Sequence, residues 1–335
     1  MKAVNLRVGT ASAIGSLPHR HVDAAVALAM AACPDLPTAP SLPRLDRREG
    51  MLSQGAWGLR GVDIGEDGVL RLTGTLDPAD PFAGEPGIDG PAFAALRAFL
   101  HANRHRTAPI KLQLTGPVTL GLALVEAGAP VDRAFATAVA AVTARAEAML
   151  GEALRIAPLA PQVAFVDEPG LVALSRPGFP LATDDALDLV SRALAAVERY
   201  AVTGLHCCAD TDWRLAMDTG PQIVSLPVAP SIADHAGALG VHLDGGGWVA
   251  WGAVPTSQPV GDSSDRLWRT LSDTWCELVQ RGCDALRLRE QALVTPECGL
   301  ATHDPLQAEH ILALTVDLAE RVRRQSFGVK LSVGA

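Results

Sequence analysis

Short apolar runs alternate with longer amphipathic stretches along most of this 335-residue chain. The runs are typical of buried parallel strands, and the stretches between them, such as 131–154 and 183–201, have helical spacing. The eight candidate strands are 12–18, one arm of 61–74, 110–117, 162–169, 202–208, 222–228, 248–254 and 291–297. This pattern predicts an α/β fold, a (β/α)8 TIM barrel with an N-terminal segment and a hairpin insertion.

The rest of the chain is assigned from its turn residues. A barrel of this kind needs about 250 residues, and residues 36–90, which are rich in Pro and Gly, are the predicted insertion. Within them, GEDG at 65–68 predicts the turn of a hairpin. No repeat or linker divides the sequence, so we expect residues 1–335 to form a single domain.

The composition indicates a large core and no basic surface for nucleic acid. Hydrophobic residues make up 48% of the chain and charged residues only 19%. The net charge is −9, and the 28 Lys and Arg residues are scattered, so no basic stripe would follow a phosphate backbone. The most apolar stretch, 22–33, is too short to span a bilayer, and no secretory signal precedes it. We expect a cytoplasmic protein without nucleic-acid or membrane partners.

Six cysteines in a chain without a signal peptide suggest reduced thiols more than disulfides. Cys33 ends an Ala-rich helical pattern. Cys276 and Cys283 are seven residues apart in a helical segment and would share one face of it. We expect these three to pack in the core, as free cysteines often do.

The other cysteines lie at ends of predicted strands, the face on which barrel active sites are built. His206 and Cys208 are two apart on one strand and point to the same side, whereas Cys207 points into the wall. Cys298 follows the last predicted strand. Because the first and last strands of a closed barrel are neighbours and all strand ends share one rim, Cys298 is the natural third ligand. Two thiolates and an imidazole favour zinc among the common intracellular ions.

Two other interpretations of this segment stay open. A lone His-x-Cys pattern is also compatible with buried side chains that have no chemical role, and only the position of Cys298 raises the case for a metal. A disulfide between Cys207 and Cys208 is disfavoured, because adjacent cysteines close a strained ring and the cytosol is reducing.

Five segments in order, AIGSLP, LQLTGPVTL, FVDEPGL, LHCCAD and TPECGLATH, resemble the catalytic C-terminal barrel of cobalamin-independent methionine synthase. The wider family includes uroporphyrinogen decarboxylase and corrinoid-linked methyltransferases, and the resemblance runs from about residue 12 to residue 325. It implies a zinc site and a homocysteine site. The implied zinc ligands are His206, Cys208 and Cys298, and the implied homocysteine-binding residues are Ile14, Gly15, Ser16 and Asp167, with Asp167 also in a catalytic role.

The resemblance implies a zinc-dependent methyltransferase that methylates homocysteine or a related small thiol, giving methionine or a thioether. The residue types suit this reaction. A free thiol has a pKa of about 8.5 and is mostly protonated at neutral pH, whereas a thiol bound to Zn²⁺ is deprotonated and nucleophilic. Two Cys and one His leave the fourth position open, as a catalytic zinc site requires.

Three departures from the family pattern bear on the methyl donor. The sequence matches only the catalytic barrel, so folate is doubtful as the donor. Residues 222–228 lack the acid that is the family's fourth zinc ligand, and 251–259 offer Thr256 and Ser257 where the family has a proton-donating His. Without a general acid to protonate the leaving group, a donor that depends less on protonation is favoured, such as a corrinoid protein, a sulfonium or another activated methyl compound.

Two alternative functions stay open. One is a non-catalytic zinc-binding or thiol-binding protein, which the missing acid and His motivate. The other is a methyltransferase that works with a corrinoid protein docked at the barrel mouth.

Overall fold

The computed structural model describes residues 6–174 and 176–333, with side chains up to Ser326. The strands are β1 (Thr10–Ala11), β2 (Val62–Ile64), β3 (Leu70–Leu72), β4 (Ile110–Thr115), β5 (Gln162–Asp167), β6 (Val202–His206), β7 (Ile223–Pro227), β8 (Trp248–Val254) and β9 (Ala292–Pro296). In this part of the chain, seven strands form one sheet in the order β1-β9-β8-β7-β6-β5-β4. All its pairs are parallel, which confirms the predicted α/β class.

Helices connect these strands in the way that parallel pairing requires. They are α1 (Val22–Ala32), α2 (Met51–Ala56), α3 (Ala94–Ala102), α4 (Pro117–Glu126), α5 (Val131–Ile156), α6 (Thr183–Glu198), α7 (Trp213–Asp218), α8 (Ala236–Asp244), α9 (Asp265–Gln280), α10 (Ala285–Glu290) and α11 (Pro305–Val333). Pro117 opens α4, where the first helical N–H needs no partner. Among the described residues, none of these helices is both long and apolar enough to cross a membrane.

Two of the eight predicted strands are corrected by the structure. The first strand is Thr10–Ala11 rather than 12–18. The predicted hairpin does form, but β2 and β3 make a separate antiparallel sheet of two strands. The turn residues predict a hairpin, but they do not predict what it packs against.

Residues 36–41 lie between the two edges of the curled sheet. Lys111 of β4 exchanges backbone hydrogen bonds with this segment, donating to the Pro37 carbonyl and accepting from Ala39, both at 2.9 Å. On the other side, Ser41 accepts from the backbone N–H of Leu17 at 2.9 Å. Because prolines lack an N–H, this segment forms isolated bridges and no regular ladder. The described chain is thus a curled sheet of seven parallel strands, without a closed eight-stranded barrel.

Apolar side chains on the inner face of the sheet form a floor beneath the strand ends. This cluster is made of Leu36, Val163, Phe165, Ile223, Ala250 and Leu293. Alternate residues of the same strands, such as Ala164 and Val166, belong to the larger cluster that includes the helices. Burial on both faces explains why these strands have near-continuous apolar sequences. The polar residues that follow them are left at the open end of the sheet.

Arg145 anchors much of segment 36–90 to the rest of the fold. It projects from α5, is buried, and donates to the backbone carbonyls of Trp57, Pro86 and Gly87. Burial lowers the pKa of this guanidinium to about 10. Backbone carbonyls accept hydrogen bonds from the buried guanidinium, and these bonds hold the long irregular segment against α5.

The cysteines expected in the core divide two to one. Cys33 and Cys283 are buried, but Cys276 is exposed, which corrects the prediction. Trp275 and Leu278 form the buried face of α9, and Cys276 lies about 100° around the helix from Trp275. Cys283 comes after the helix ends at Gln280, so the seven-residue helical spacing does not apply to the pair.

Candidate functional site

Strand register brings four polar residues into one row across the sheet. Thr115 of β4 pairs with Asp167 of β5, Asp167 pairs with His206 of β6, and His206 pairs with Ser225 of β7. Neighbouring parallel strands are about 4.8 Å apart, so each side chain in the row has the next within reach. The row lies at the carboxyl ends of the strands, above the apolar floor.

His206 is held in one orientation by the next strand. The side chain is 5% exposed, and its Nδ1 shares a 2.9 Å hydrogen bond with Ser225 Oγ. That contact leaves Nε2 for another partner. Sequence reasoning missed Ser225, because its place beside His206 depends on the β6–β7 register, which no local motif records.

Two of the cysteines meet at this end of the sheet. Cys208 and Cys298 are joined by a side-chain hydrogen bond, and Cys298 also contacts the His206 ring. The bond from Cys208, assisted by His206, lowers the pKa of Cys298, and the same bond together with burial raises the pKa of Cys208. Cys207 is buried, and its thiol donates to the Ala209 carbonyl at 3.4 Å.

A cavity of about 290 Å³ opens above these residues. All the predicted site residues line it except Gly15; those that do are Ile14, Ser16, Asp167, His206, Cys208 and Cys298. The facing wall comes from the Pro-rich segment and includes Ser41, Pro43, Met51 and Gln54. The predicted residues, which lie up to 284 positions apart in the chain, therefore share one space.

Gly15 lies just behind the cavity wall and shapes it through its backbone. Its φ is +149°, and a Cβ there would collide with the Gln113 amide. Gly299 has a similar role on the opposite chain segment, since a Cβ there would collide with the Ser16 hydroxyl. The Ser16 carbonyl accepts from the backbone N–H of Leu300 at 2.8 Å. Glycine at 15 lets the segment after β1 approach β4, and glycine at 299 lets the loop after β9 approach Ser16.

Asp167 has an oxygen free for a ligand. The side chain is 7% exposed, and Oδ1 is buried without a hydrogen-bond partner. Burial raises the pKa of this carboxyl to about 6, although His206 and Lys111 oppose the rise. An unpaired buried carboxylate oxygen is costly, and a cationic group entering the cavity would relieve that cost.

Lys111 is a fully buried cation beneath the cavity. Its Nζ donates to the Ile14 carbonyl at 2.8 Å and lies 4.7 Å from the centre of the Phe165 ring. Burial lowers the pKa of this amine to about 8, and Asp167 opposes the shift. Sequence reasoning missed Lys111, although a lysine inside an apolar strand is itself a signal.

Glu168, next to Asp167, has a structural role. It is fully buried and accepts from the backbone N–H groups of Val118 and Thr119, both at 2.8 Å, and from the Thr119 hydroxyl at 2.6 Å. Burial raises the pKa of its carboxyl to about 7. These bonds fix the start of α4 against β5, so adjacent acids in one motif serve different purposes.

The residues present suit zinc by their chemistry. Two thiols and an imidazole with its other nitrogen already bonded form a typical zinc donor set, including the outer hydrogen bond. In the described residues, no three His, Cys, Asp or Glu side chains are arranged as a preformed metal centre. Instead, the two thiols of this trio hydrogen-bond to each other.

Comparison with known proteins gives a likeness of fold. No protein-family model matches the sequence, and no curated protein matches it. A B12-independent methionine synthase from Shewanella sp. W3-18-1, in complex with selenomethionine, is similar over 96% of this chain and 99% of its own, with a TM-score of 0.63 and 16% identity. A putative B12-independent methionine synthase from Listeria monocytogenes is similar over 90% of this chain and 85% of its own, with a TM-score of 0.57 and 15% identity.

These neighbours support the α/β class that the sequence predicted, although the described chain has seven parallel strands and no closed eight-stranded barrel. At this identity the likeness extends to the arrangement of strands and helices across nearly the whole chain. A shared fold does not by itself specify function, which depends on the residues of the site.

Proposed function

We propose that this chain is a zinc-dependent methyltransferase that methylates the thiol of homocysteine or a related small thiol. The observation that carries the proposal is the convergence, in one cavity, of two thiols, an imidazole and a buried carboxylate with a free oxygen. The first three are zinc donors and the fourth is a partner for an amino group. The structural neighbours support the same reaction class, and one of them is described with selenomethionine bound.

The residues divide the binding of an amino-acid thiol between them. Asp167 Oδ1 would accept from the substrate ammonium group, and the Ser16 hydroxyl with the backbone around Gly15 would hold the carboxylate. Lys111 would fix that turn through the Ile14 carbonyl. This arrangement directs the substrate's sulfur towards Cys208 and Cys298.

His206, Cys208 and Cys298 would hold the zinc ion, and Ser225 would keep His206 oriented through Nδ1. Bound there, zinc supplies a Lewis acid that lowers the pKa of an incoming thiol and leaves it nucleophilic at neutral pH. Three protein ligands leave one position for that sulfur. A reducing compartment such as the cytoplasm would keep both cysteines available as ligands.

The test measures metal and acceptor binding, independently of any methyl donor. Purified protein is expected to contain about one zinc per chain, and calorimetry with homocysteine is expected to show binding with release of a proton. C208S and C298S should each lose the zinc and the proton release. C276S, at an exposed cysteine, is the matched control and should keep both. Full zinc retention in C208S and C298S would refute the assigned ligands.

A non-catalytic thiol-binding protein is the second candidate. It is favoured by the loop after β8: among the described residues, none of 255–259 lines the cavity, so this loop brings no general acid to it. Homocysteine binding without turnover on folate, cobalamin and sulfonium donors would support this candidate. Turnover with any one of them would eliminate it.

A further inference from the structure

We infer that the methyl donor is a small methylsulfonium compound, in which a methyl group is attached to a positively charged sulfur. This inference rests on the proposed function, because it concerns the second substrate of the same cavity. Three properties of the cavity lead to it: its size, the charge of its lining and the proton donors it offers.

The size of the cavity limits the donor. Sites for drug-sized ligands measure about 300–1,000 Å³, whereas this cavity of about 290 Å³ has to hold both the acceptor and the donor. Segment 36–90 contributes the facing wall through Met51 and Gln54. Thr115 Oγ1 holds the Met51 carbonyl at 2.6 Å, and Gln54 Nε2 donates to the Ala92 carbonyl at 2.7 Å. A wall fixed in this way leaves space for a small second molecule beside an amino-acid thiol.

The side chains of the lining disfavour an anionic donor. Within the described chain, the residues around this cavity include no lysine and no arginine. Lys111 is separated from the cavity by the Ile14 carbonyl to which it donates. Arg44 is exposed at the rim, where Nη2 donates to the Thr302 carbonyl at 2.7 Å. A phosphorylated or multiply carboxylated donor would find no cationic partner among these side chains, whereas a cationic donor would meet no like charge from them.

Two other cavities include an arginine, and neither offers it to this site. A cavity of about 20 Å³ shares Gln113 and Thr115 with the site, but its Arg145 is already bonded to three backbone carbonyls. The other cavity lies apart. It measures about 320 Å³, lies beside β8, and is lined by Arg266 and Glu297 among others. It shares no lining residue with the cavity of His206. An anionic donor bound there would not meet the acceptor.

The leaving group has to depart without a proton. Asp167, His206, Cys208 and Cys298 are the titratable groups that line the cavity, and the proposed function already uses them to bind the acceptor and the metal. When the acceptor's sulfur attacks, its electron pair forms the new S–CH₃ bond and the C–S⁺ bond breaks. That electron pair stays on the donor sulfur, which leaves as a neutral thioether, and the acceptor's thiol proton passes to solvent. No general acid is needed, unlike for an amine leaving group.

The first experiment compares donors on the zinc-loaded full chain with homocysteine as acceptor. S-methylmethionine and trimethylsulfonium are expected to give methionine. Methyltetrahydrofolate, methylcobalamin and S-adenosylmethionine, which are larger than the space available, are expected to give at least about a hundredfold less. Trimethylsulfonium should also bind to the homocysteine complex in a calorimetric titration, a result that does not depend on turnover.

The second experiment changes charge at the rim. Thr302 lines the cavity and is exposed, so a new side chain there is accommodated. T302K should raise the KM for trimethylsulfonium about three- to tenfold relative to T302Q, which has similar bulk and no charge, and T302E should lower it. The differences should shrink at high salt, because screening weakens exposed charges. Identical KM values for T302K and T302E would overturn the inference.

Failure of the donor inference is distinguishable from failure of the proposed function. Efficient turnover with methylcobalamin, methyltetrahydrofolate or the bulky sulfonium S-adenosylmethionine would overturn the inference of a small sulfonium donor and support the methyltransferase. Zinc and homocysteine binding without turnover on any donor would also overturn the sulfonium inference and would leave acceptor binding established. Absence of zinc and homocysteine binding would refute the proposed function itself.

Discussion

The two walls of the cavity are built in different ways. The acceptor wall consists of Ser16, Asp167, His206, Cys208 and Cys298, and the 41–54 wall consists of Ser41, Pro43, Met51 and Gln54. Asp167, His206, Cys208 and Cys298 lie at or just after strand ends, where parallel pairing fixes their positions. Ser16 follows the end of β1 by five residues and is held through its carbonyl by the backbone N–H of Leu300. The 41–54 wall has no strand beneath it. Ser41 at its start bonds to the backbone of Gly15 and Leu17, and the rest is held by side chains that bond to single backbone groups, as those of Thr115 and Gln54 do.

This difference indicates that the two walls have different roles in binding. Groups that do chemistry need positions fixed to a fraction of an ångström, which strand ends provide. A wall held by separate side-chain bonds can change in sequence without disturbing the sheet, so it is suited to selecting the second substrate. Changes in the acceptor wall should therefore affect acceptor binding, and changes that loosen the 41–54 wall should affect the donor.

Asp167→Asn should have the largest effect and tests the acceptor wall directly. The variant keeps the shape but loses the charge that faces the substrate ammonium group. Homocysteine should bind about a hundredfold more weakly, about 3 kcal/mol, because a buried charged hydrogen bond is lost. Calorimetry measures this change. The matched ligand is 4-mercaptobutanoate, which lacks the amino group and should lose less than about threefold; an equal loss for both thiols would contradict the role of Asp167.

Lys111→Met tests whether a buried cation lies beneath the acceptor wall, through the pH dependence of the free energy of unfolding. The folded pKa of about 8 lies below the ordinary value of 10.5, so the unfolded chain binds more protons between these values. The free energy of unfolding should then rise with pH for the wild type, by about 2 kcal/mol between about pH 8 and 10 relative to K111M. Urea unfolding across this range measures the difference. Parallel curves for the two proteins would show that Lys111 is not a buried cation.

Much of the acceptor wall was predictable because each motif follows its own strand. In LHCCAD, the alternation of a strand places His206 and Cys208 on one side, and a strand-end position for Cys298 follows from the apolar run before it. The partners of these residues were not predictable. Ser225 and Thr115 join the row only through register between strands, which a single sequence does not display.

The sequence was least informative about segment 36–41. Its prolines are typical of a loop, and the hairpin at 61–74 looked like a better strand. In the structure, the hairpin packs apart from the parallel sheet, and 36–41 lies between β1 and β4 through isolated bridges. Local turn chemistry identifies a hairpin correctly, but the partner of each strand is decided by long-range packing, which short patterns do not specify.

Glu49→Gln tests the 41–54 wall. Glu49 is buried, and its two oxygens accept from the backbone N–H groups of Leu42 at 2.7 Å and Ala95 at 2.8 Å. A glutamine offers one acceptor, so one N–H would face the amide nitrogen, at a cost of about 2 kcal/mol in the free energy of unfolding. The KM for the methyl donor should rise about tenfold, while homocysteine affinity should change less than about twofold.

The control for this variant is E85Q, which removes the same charge from an exposed position in the same segment. It should leave stability and both substrates unchanged. Urea unfolding, donor kinetics and calorimetry separate the effects. If E49Q weakened homocysteine as much as the donor, the two walls would not be independent.

Arg44→Ala should have the smallest effect and tests how the two walls meet at the rim. The exposed Arg44 donates to the Thr302 carbonyl and so joins the 41–54 wall to the loop after β9. One exposed hydrogen bond contributes about 0.5 kcal/mol, so amide exchange in residues 41–49 should quicken about two- to threefold without a change in homocysteine affinity. R47A removes the same charge from an exposed position nearby and should leave exchange unchanged. Equal exchange in R44A and R47A would mean that the rim contact does not restrain this wall, and that the hydrogen bonds of Ser41, Glu49 and Thr115 are sufficient to hold it.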